Sequence, residues 1–350
     1  MARPRAPRRA QMSRRLLHTV GAMAMAALAL AVGCELAVAS ARAPSNARVA
    51  APARRIVAHA VVSAHTDAAP ALAPMRLAAD AERLIVLDAA HRRLAIWTPH
   101  DSVQHAGAVL SRAPFQLARR GDRIGVLDAR DARLTVLDSR GRIRARFGLA
   151  HLPPAFAACA FADGSWLVLT AGDGDALIRL DSVGAVLWRR PVPWPVVTTW
   201  PPLARQGVLA PTRDGCALAL AFGPGWAEVQ PDGRMPTVMP LREAGPSPRQ
   251  SWRRRTERTA QTPLVADVVV RGDTIELLAV GTTLDAWRVI DRFHVRTGAY
   301  LGSIRLPGPV RAISATPDGW GAIVPTPRGP RLARLRPVRI PSVGNGLRSR

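Results

Sequence analysis

The chain has no lysine. Every one of its 49 basic residues is arginine, asparagine occurs twice (Asn46, Asn345) and tyrosine once (Tyr300). Losing Lys, Asn and Tyr together marks a GC-rich coding background. The formal charge of +24 is therefore in part a codon effect, and its weight as evidence for nucleic acid falls accordingly. Cysteine is scarce: three residues and no CxxC exclude a Cys-based zinc site or a dithiol redox motif. Walker loops, dinucleotide fingerprints, Gly-x-Ser-x-Gly elbows, HxxxH and HExxH are all missing. Nothing in the sequence therefore calls for a cofactor or a metal. Long apolar runs are missing too, apart from one near the start. What is present is 48% hydrophobic residues against 21% charged, too apolar for global disorder and ample for a core.

The first forty residues carry an address. Arg3, Arg5, Arg8, Arg9, Arg14 and Arg15 precede an apolar stretch near 20–32, VGAMAMAALALAV. That stretch is too short to cross a membrane as a helix, which takes about 20 residues. A basic head, a short apolar run and small residues after it predict an export signal over 1–33. Ser13-Arg14-Arg15-Leu16-Leu17 is similar to a twin-arginine motif. Leu30-Ala31-Val32-Gly33-Cys34 is similar to a lipobox, which makes Cys34 the predicted lipidation site and residues 34–52 a flexible tether. Ordinary cleavage after Ala39, Ala41 or Ala43 is the alternative. Met12 is a second possible start. Cys159 and Cys216 then remain; they are expected to be two separately buried small residues, with a disulfide as the other reading.

The body repeats. Arg83-Leu84-Ile85-Val86-Leu87-Asp88 aligns with Arg123-Ile124-Gly125-Val126-Leu127-Asp128 at an offset of 40, and Arg93–Trp97 falls on Arg133–Leu137. Short β-rich runs bounded by Gly, Asp and Arg predict hairpins. The pattern returns with decay through four further units, punctuated by Asp163-Gly164, Asp173-Gly174, Asp214-Gly215, Asp232-Gly233 and Asp318-Gly319. The last unit shows three strands, and Arg55–Val62 is available as its outer fourth. The expectation is all-β: a six-bladed β-propeller of four-stranded antiparallel blades over 53–337, its ring closed by the N-terminal strand. Residues 241–262 form an Arg-rich inserted loop, and 338–350 a disordered basic tail.

Asp88-Ala-Ala-His-Arg-Arg93 and Asp128-Ala-Arg-Asp-Ala-Arg133, continuing to Asp138-Ser-Arg-Gly141, resemble NHL-type repeats of six-bladed propellers. Those repeats share an Asp five residues before an Arg, then an apolar run ending in Asp-x-x-Gly. Leu177–Trp188 is also similar to the repeats of quinone-cofactor propellers, which usually have eight blades. The resemblance implies a fold and no activity, since propellers serve as binding scaffolds, lyases and lactonases alike.

Asp88 and Asp128 at matched positions are read as turn braces, because a structural device repeats whereas a catalytic group is unique. The metal sets of lactonase-type and amidating-lyase propellers do not carry over: the body has no Asn, and His91, His100, His105, His151 and His294 are scattered. Trp252, Arg253, Arg254, Arg255 and Arg258 form a candidate anion-binding loop, with a solvated loop as the plainer reading. No catalytic residue stands out. The sequence therefore favours a non-catalytic binding or scaffold propeller of the bacterial envelope, periplasmic or anchored at the outer membrane, or else secreted. Its expected partners are an unidentified protein, glycan or small molecule at the rim or channel, and a membrane through the lipid anchor; nucleic acid is disfavoured. The alternative is a hydrolase or lyase acting on an extracytoplasmic sugar, lactone or peptide.

Overall fold

A computed structural model describes residues 54–65, 74–80, 83–88, 90–98, 103–106, 110, 112–172, 176–195, 197, 205–242, 263–280 and 287–339. Nearly all of their regular structure is strand. The first repeat contains β2 (Pro74–Asp80), β3 (Arg83–Asp88), β4 (Arg93–Trp97) and β5 (Val103–Ala106). The second contains β6 (Pro114–Arg120), β7 (Arg123–Asp128), β8 (Arg133–Leu137) and β9 (Ile143–Gly148). The third contains β10 (Ala155–Ala160), β11 (Trp166–Thr170), β12 (Leu177–Leu180) and β13 (Val186–Arg190). The fourth contains β14 (Gly207–Pro211), β15 (Cys216–Leu220), β16 (Gly225–Val229) and β17 (Thr237–Pro240). Each of these sets is one antiparallel sheet with its strands in chain order.

The remaining strands share one eight-stranded sheet. On one side lie β18 (Val265–Arg271), β19 (Thr274–Ala279), β20 (Val289–His294) and β21 (Tyr300–Arg305). On the other lie β22 (Ala312–Thr316), β23 (Gly319–Val324) and β24 (Arg331–Arg339). Between β21 and β24 runs β1 (Ile56–His65). The expected six separate blades are thereby corrected to four separate blades and one eight-stranded sheet. The cause is β1, which pairs antiparallel with β24 from Ala58↔Arg339 to His65↔Ala333 while its first residues run parallel to β21, from Ile56↔Ser303 to His59↔Arg305. The same pairing carries β24 through Val338 and Arg339, the first two residues of the expected tail.

The first strands of successive units lie side by side in a closed circuit: β2 against β6, β6 against β10, β10 against β14, β14 against β18, β18 against β22, and β22 back against β2. They therefore surround the axis, and the fold is an all-β propeller. Sheets stacked this way bury both faces, so strands read as unbroken apolar runs: Leu84–Leu87 is buried throughout, as is Trp166–Thr170. The core is divided into clusters, each between one unit and the next. Ala78, Leu87 and Leu94 of the first unit meet Leu117, Ile124 and Leu137 of the second. Leu77, Leu84 and Trp97 meet Ala312, Ile323 and Leu332 across the opposite face. Trp97, Trp166, Trp226 and Trp320 are fully buried within it.

Cys159 on β10 and Cys216 on β15 are joined by a disulfide with an S–S distance of 2.07 Å. This corrects the expectation of two separate buried cysteines. The two lie in one cluster between the third and fourth units. Closing a chain segment of 57 residues removes about 4 kcal/mol of unfolded-state freedom on the chain-entropy account.

Candidate functional site

The matched aspartates are turn braces. Asp128 Oδ1 accepts the N–H groups of Arg130 (2.9 Å) and Asp131 (2.7 Å), and its Oδ2 accepts that of Ala113 (2.6 Å). Asp88 accepts the N–H of His91 (3.3 Å) and meets His91 Nδ1 at 2.7 Å. Both turns close through a left-handed residue just before the arginine, Arg92 (φ 54°) and Ala132 (φ 42°). Arg93 and Arg133 face Asp88 and Asp128 in backbone register.

The other buried carboxylates are also engaged. Glu276 accepts the indole N–H of Trp320 at 2.7 Å, and Arg271 and Arg292 flank it at 3.5 Å. Glu228 receives Thr212 Oγ1 at 2.6 Å. Asp291 is paired with Arg54 at 3.0 Å and receives Ser303 Oγ at 2.5 Å. Asp138 accepts the N–H groups of Arg142 and Arg140, which with Arg144 hold its carboxyl below the ordinary value. His294 Nδ1 accepts the N–H groups of Arg296 and Thr297, so this histidine serves a turn.

Arginines do a second structural job by capping carbonyls across unit boundaries. Arg271 Nη2 reaches Gly319 O (2.5 Å) and its Nη1 reaches Thr316 O (2.9 Å). Arg123 Nη2 reaches Phe161 O at 2.9 Å, and Arg179 Nη1 reaches Pro231 O at 2.7 Å. Arg119 donates to Ala79 O. Arg120 reaches further, from the second unit to Ala160 O of the third and to Arg213 O (2.7 Å) and Gly215 O (3.2 Å) of the fourth. Burial, and then Arg123 beside it, lowers the Arg120 guanidinium from its ordinary value.

The opposite mouth of the ring is where the first strands begin, beside the turns between second and third strands (Pro74↔Asp88, Pro114↔Asp128). There β2, β6, β10 and β18 share a register irregularity, directly after which stand Arg76, Gln116, Ala157 and Asp267. Arg76 Nε donates to Gln116 Oε1 at 3.1 Å. Asp267 Oδ1 accepts Val268 N–H and its Oδ2 accepts Ile313 N–H, both at 3.0 Å. Burial pushes the Asp267 carboxyl above its ordinary value, while Arg76 and the two N–H groups pull it back. This cluster brings donors and a desolvated carboxyl together at the axis, and it is the candidate site.

None of the three stands out in the sequence, because they come from units far apart. The available signal is the offset of 40, which places Arg76 on Gln116. Of the sequence-derived candidates, Cys34 and the loop residues Trp252, Arg253, Arg254, Arg255 and Arg258 lie outside the described residues.

No protein-family model matches the sequence, and no curated protein matches it. Among solved structures the chain is similar to U3-55K, with a TM-score of 0.50 and 9% identity over 80% of this chain and 98% of that one. It is also similar to the WD40 repeats of RRP9 (TM-score 0.49, 10% identity, 81% and 99% covered). Virginiamycin B lyase from Staphylococcus aureus is another such structure (TM-score 0.47, 11% identity, 73% and 76% covered). The likeness is one of fold, and it spans WD40 repeats and a lyase alike.

Proposed function

We propose that the protein is a non-catalytic binding or scaffold propeller of the bacterial cell envelope. Its eight-stranded sheet is read as two blades, giving six NHL-like units in all, with β1 as the strand that closes the ring. The carrying observation is how the buried acids are used. Asp88, Asp128, Glu228, Glu276 and Asp291 each hold a structural donor within their own or a neighbouring unit. A carboxylate committed in this way is costly to free for proton transfer.

Export through residues 1–33 and anchoring at Cys34 fit the Cys159–Cys216 disulfide, since such bonds persist in oxidising compartments. The ligand is a protein, glycan or small molecule at the rim or at the channel mouth, where loops from every unit converge. The hydrolase or lyase reading has one observation in its favour, the desolvated carboxyl of Asp267.

The test is to incubate the mature protein with panels of sugars, lactones and short peptides and follow products by mass spectrometry. No product above the protein-free control is expected. Turnover by the wild type that disappears in Asp267→Asn overturns the non-catalytic reading. The mass of the mature N-terminus reports on the anchor: a lipid-modified Cys34 is expected, and a start at Ser40, Arg42 or Pro44 contradicts it.

A further inference from the structure

The candidate site holds unused hydrogen-bonding capacity of two kinds. Arg76 spends its Nε on Gln116 Oε1, and among the described residues its Nη nitrogens and the Gln116 amide nitrogen carry no partner. Gln116 is 5% exposed, and its amide oxygen is held by Arg76. Asp267 is fixed by two backbone N–H groups, one on each oxygen, and each oxygen keeps a second lone pair. Arg76 acts on Asp267 through space without an ion-pair contact. The strand between them, β22, carries the small Ala312 at the equivalent register position, paired with Ile323. Both charged side chains are half-buried.

Two opposite charges held near one another but apart would collapse into a pair if the backbone allowed it. Here the Gln116 bond tethers one and the Ile313 and Val268 N–H groups tether the other. A ligand that satisfies both must offer an acceptor to the guanidinium and amide, and a donor to the carboxyl, within one short molecule. A lone anion meets the first need and is opposed by Asp267. A lone cation meets the second and is opposed by Arg76. We propose that this mouth of the ring binds a small amino-acid-type zwitterion, its carboxylate received by Arg76 and Gln116 and its ammonium by Asp267. This rests on the binding reading above and names its ligand class. Charge-assisted bonds to fixed partners supply the selectivity.

The experiment is calorimetric titration of the mature, folded protein with L-alanine, and separately with acetate and with methylammonium. Saturable alanine binding is expected, at least about tenfold tighter than either single-charge probe and weakened about tenfold or more by Arg76→Gln or Asp267→Asn. Gln116→Ala, which removes no charge, gives a third variant if either of those fails to fold, with thermal melting as the check. Acetate binding as tight as alanine overturns the zwitterion assignment. So does the lack of saturable alanine binding, or binding unchanged in every folded variant; either result leaves a scaffold role at the rim standing. Chemical conversion of alanine overturns the non-catalytic reading instead and leaves the site in place.

Discussion

At the scale of single residues, the chain puts its charge to work inside the structure. Asp128 shows how. A carboxylate 3% exposed is tolerated because three backbone N–H groups point at it, and those N–H groups have no other partner once it is gone. Asp128→Ala is therefore expected to cost about 2–4 kcal/mol of folding stability, read as a lower urea midpoint with an unchanged slope. The brace was legible in the sequence because Asp88 repeats it 40 residues earlier, and repetition marks structure. The arginine caps were not legible. The role of Arg123, Arg179 and Arg271 appears only when the neighbouring unit brings a carbonyl within reach. Asp267 stayed hidden for a related reason: its partners Ile313 and Arg76 lie on other units.

At the scale of elements, hairpins and their turns follow from local sequence, whereas the placement of β1 depends on the far end of the chain. Its apolar run predicts a strand, and the single missing strand of the last unit predicts where it goes. What local sequence does not show is that its first residues also grip β21. That grip uses Arg54 on Asp291, the carbonyl of Arg55 accepting Ser303 N–H, and close packing at Gly302. Gly302 has φ +114°, and a Cβ there would lie 2.4 Å from Val57 Cγ1 and 3.2 Å from Arg55 O. Gly121 also has a positive φ (+60°), but a Cβ there meets nothing within 4 Å. Gly302→Ala is expected to destabilise by about 2–4 kcal/mol, combining backbone strain with displacement of Val57. Gly121→Ala is expected to cost about 1 kcal/mol, from strain alone. Equal losses in the two variants would mean that β1 does not pack against β21.

At the scale of the whole molecule, the circuit of first strands makes each unit depend on both neighbours, so a ligand at the axis meets residues from several units at once. The repeat arithmetic made the propeller legible, through the offset of 40 between the first two units and the turn dipeptides that punctuate the rest. Nothing local in the sequence pairs Cys159 with Cys216, which lie 57 residues apart. The pairing becomes intelligible once Cys159 is placed on a first strand and Cys216 on the second strand of the next unit.

The account rests most heavily on closure of the ring by the N-terminal strand. Hydrogen exchange on the intact mature protein, followed by mass spectrometry of peptides covering 56–65, tests it most directly. If β1 closes the ring, amides at 58–62 share the slow, global exchange of β11 and β15, and they lose protection only when the whole molecule unfolds. Exchange of those amides at the rate of an unstructured terminus, with β11 and β15 still protected, would contradict the closure and the ring built on it.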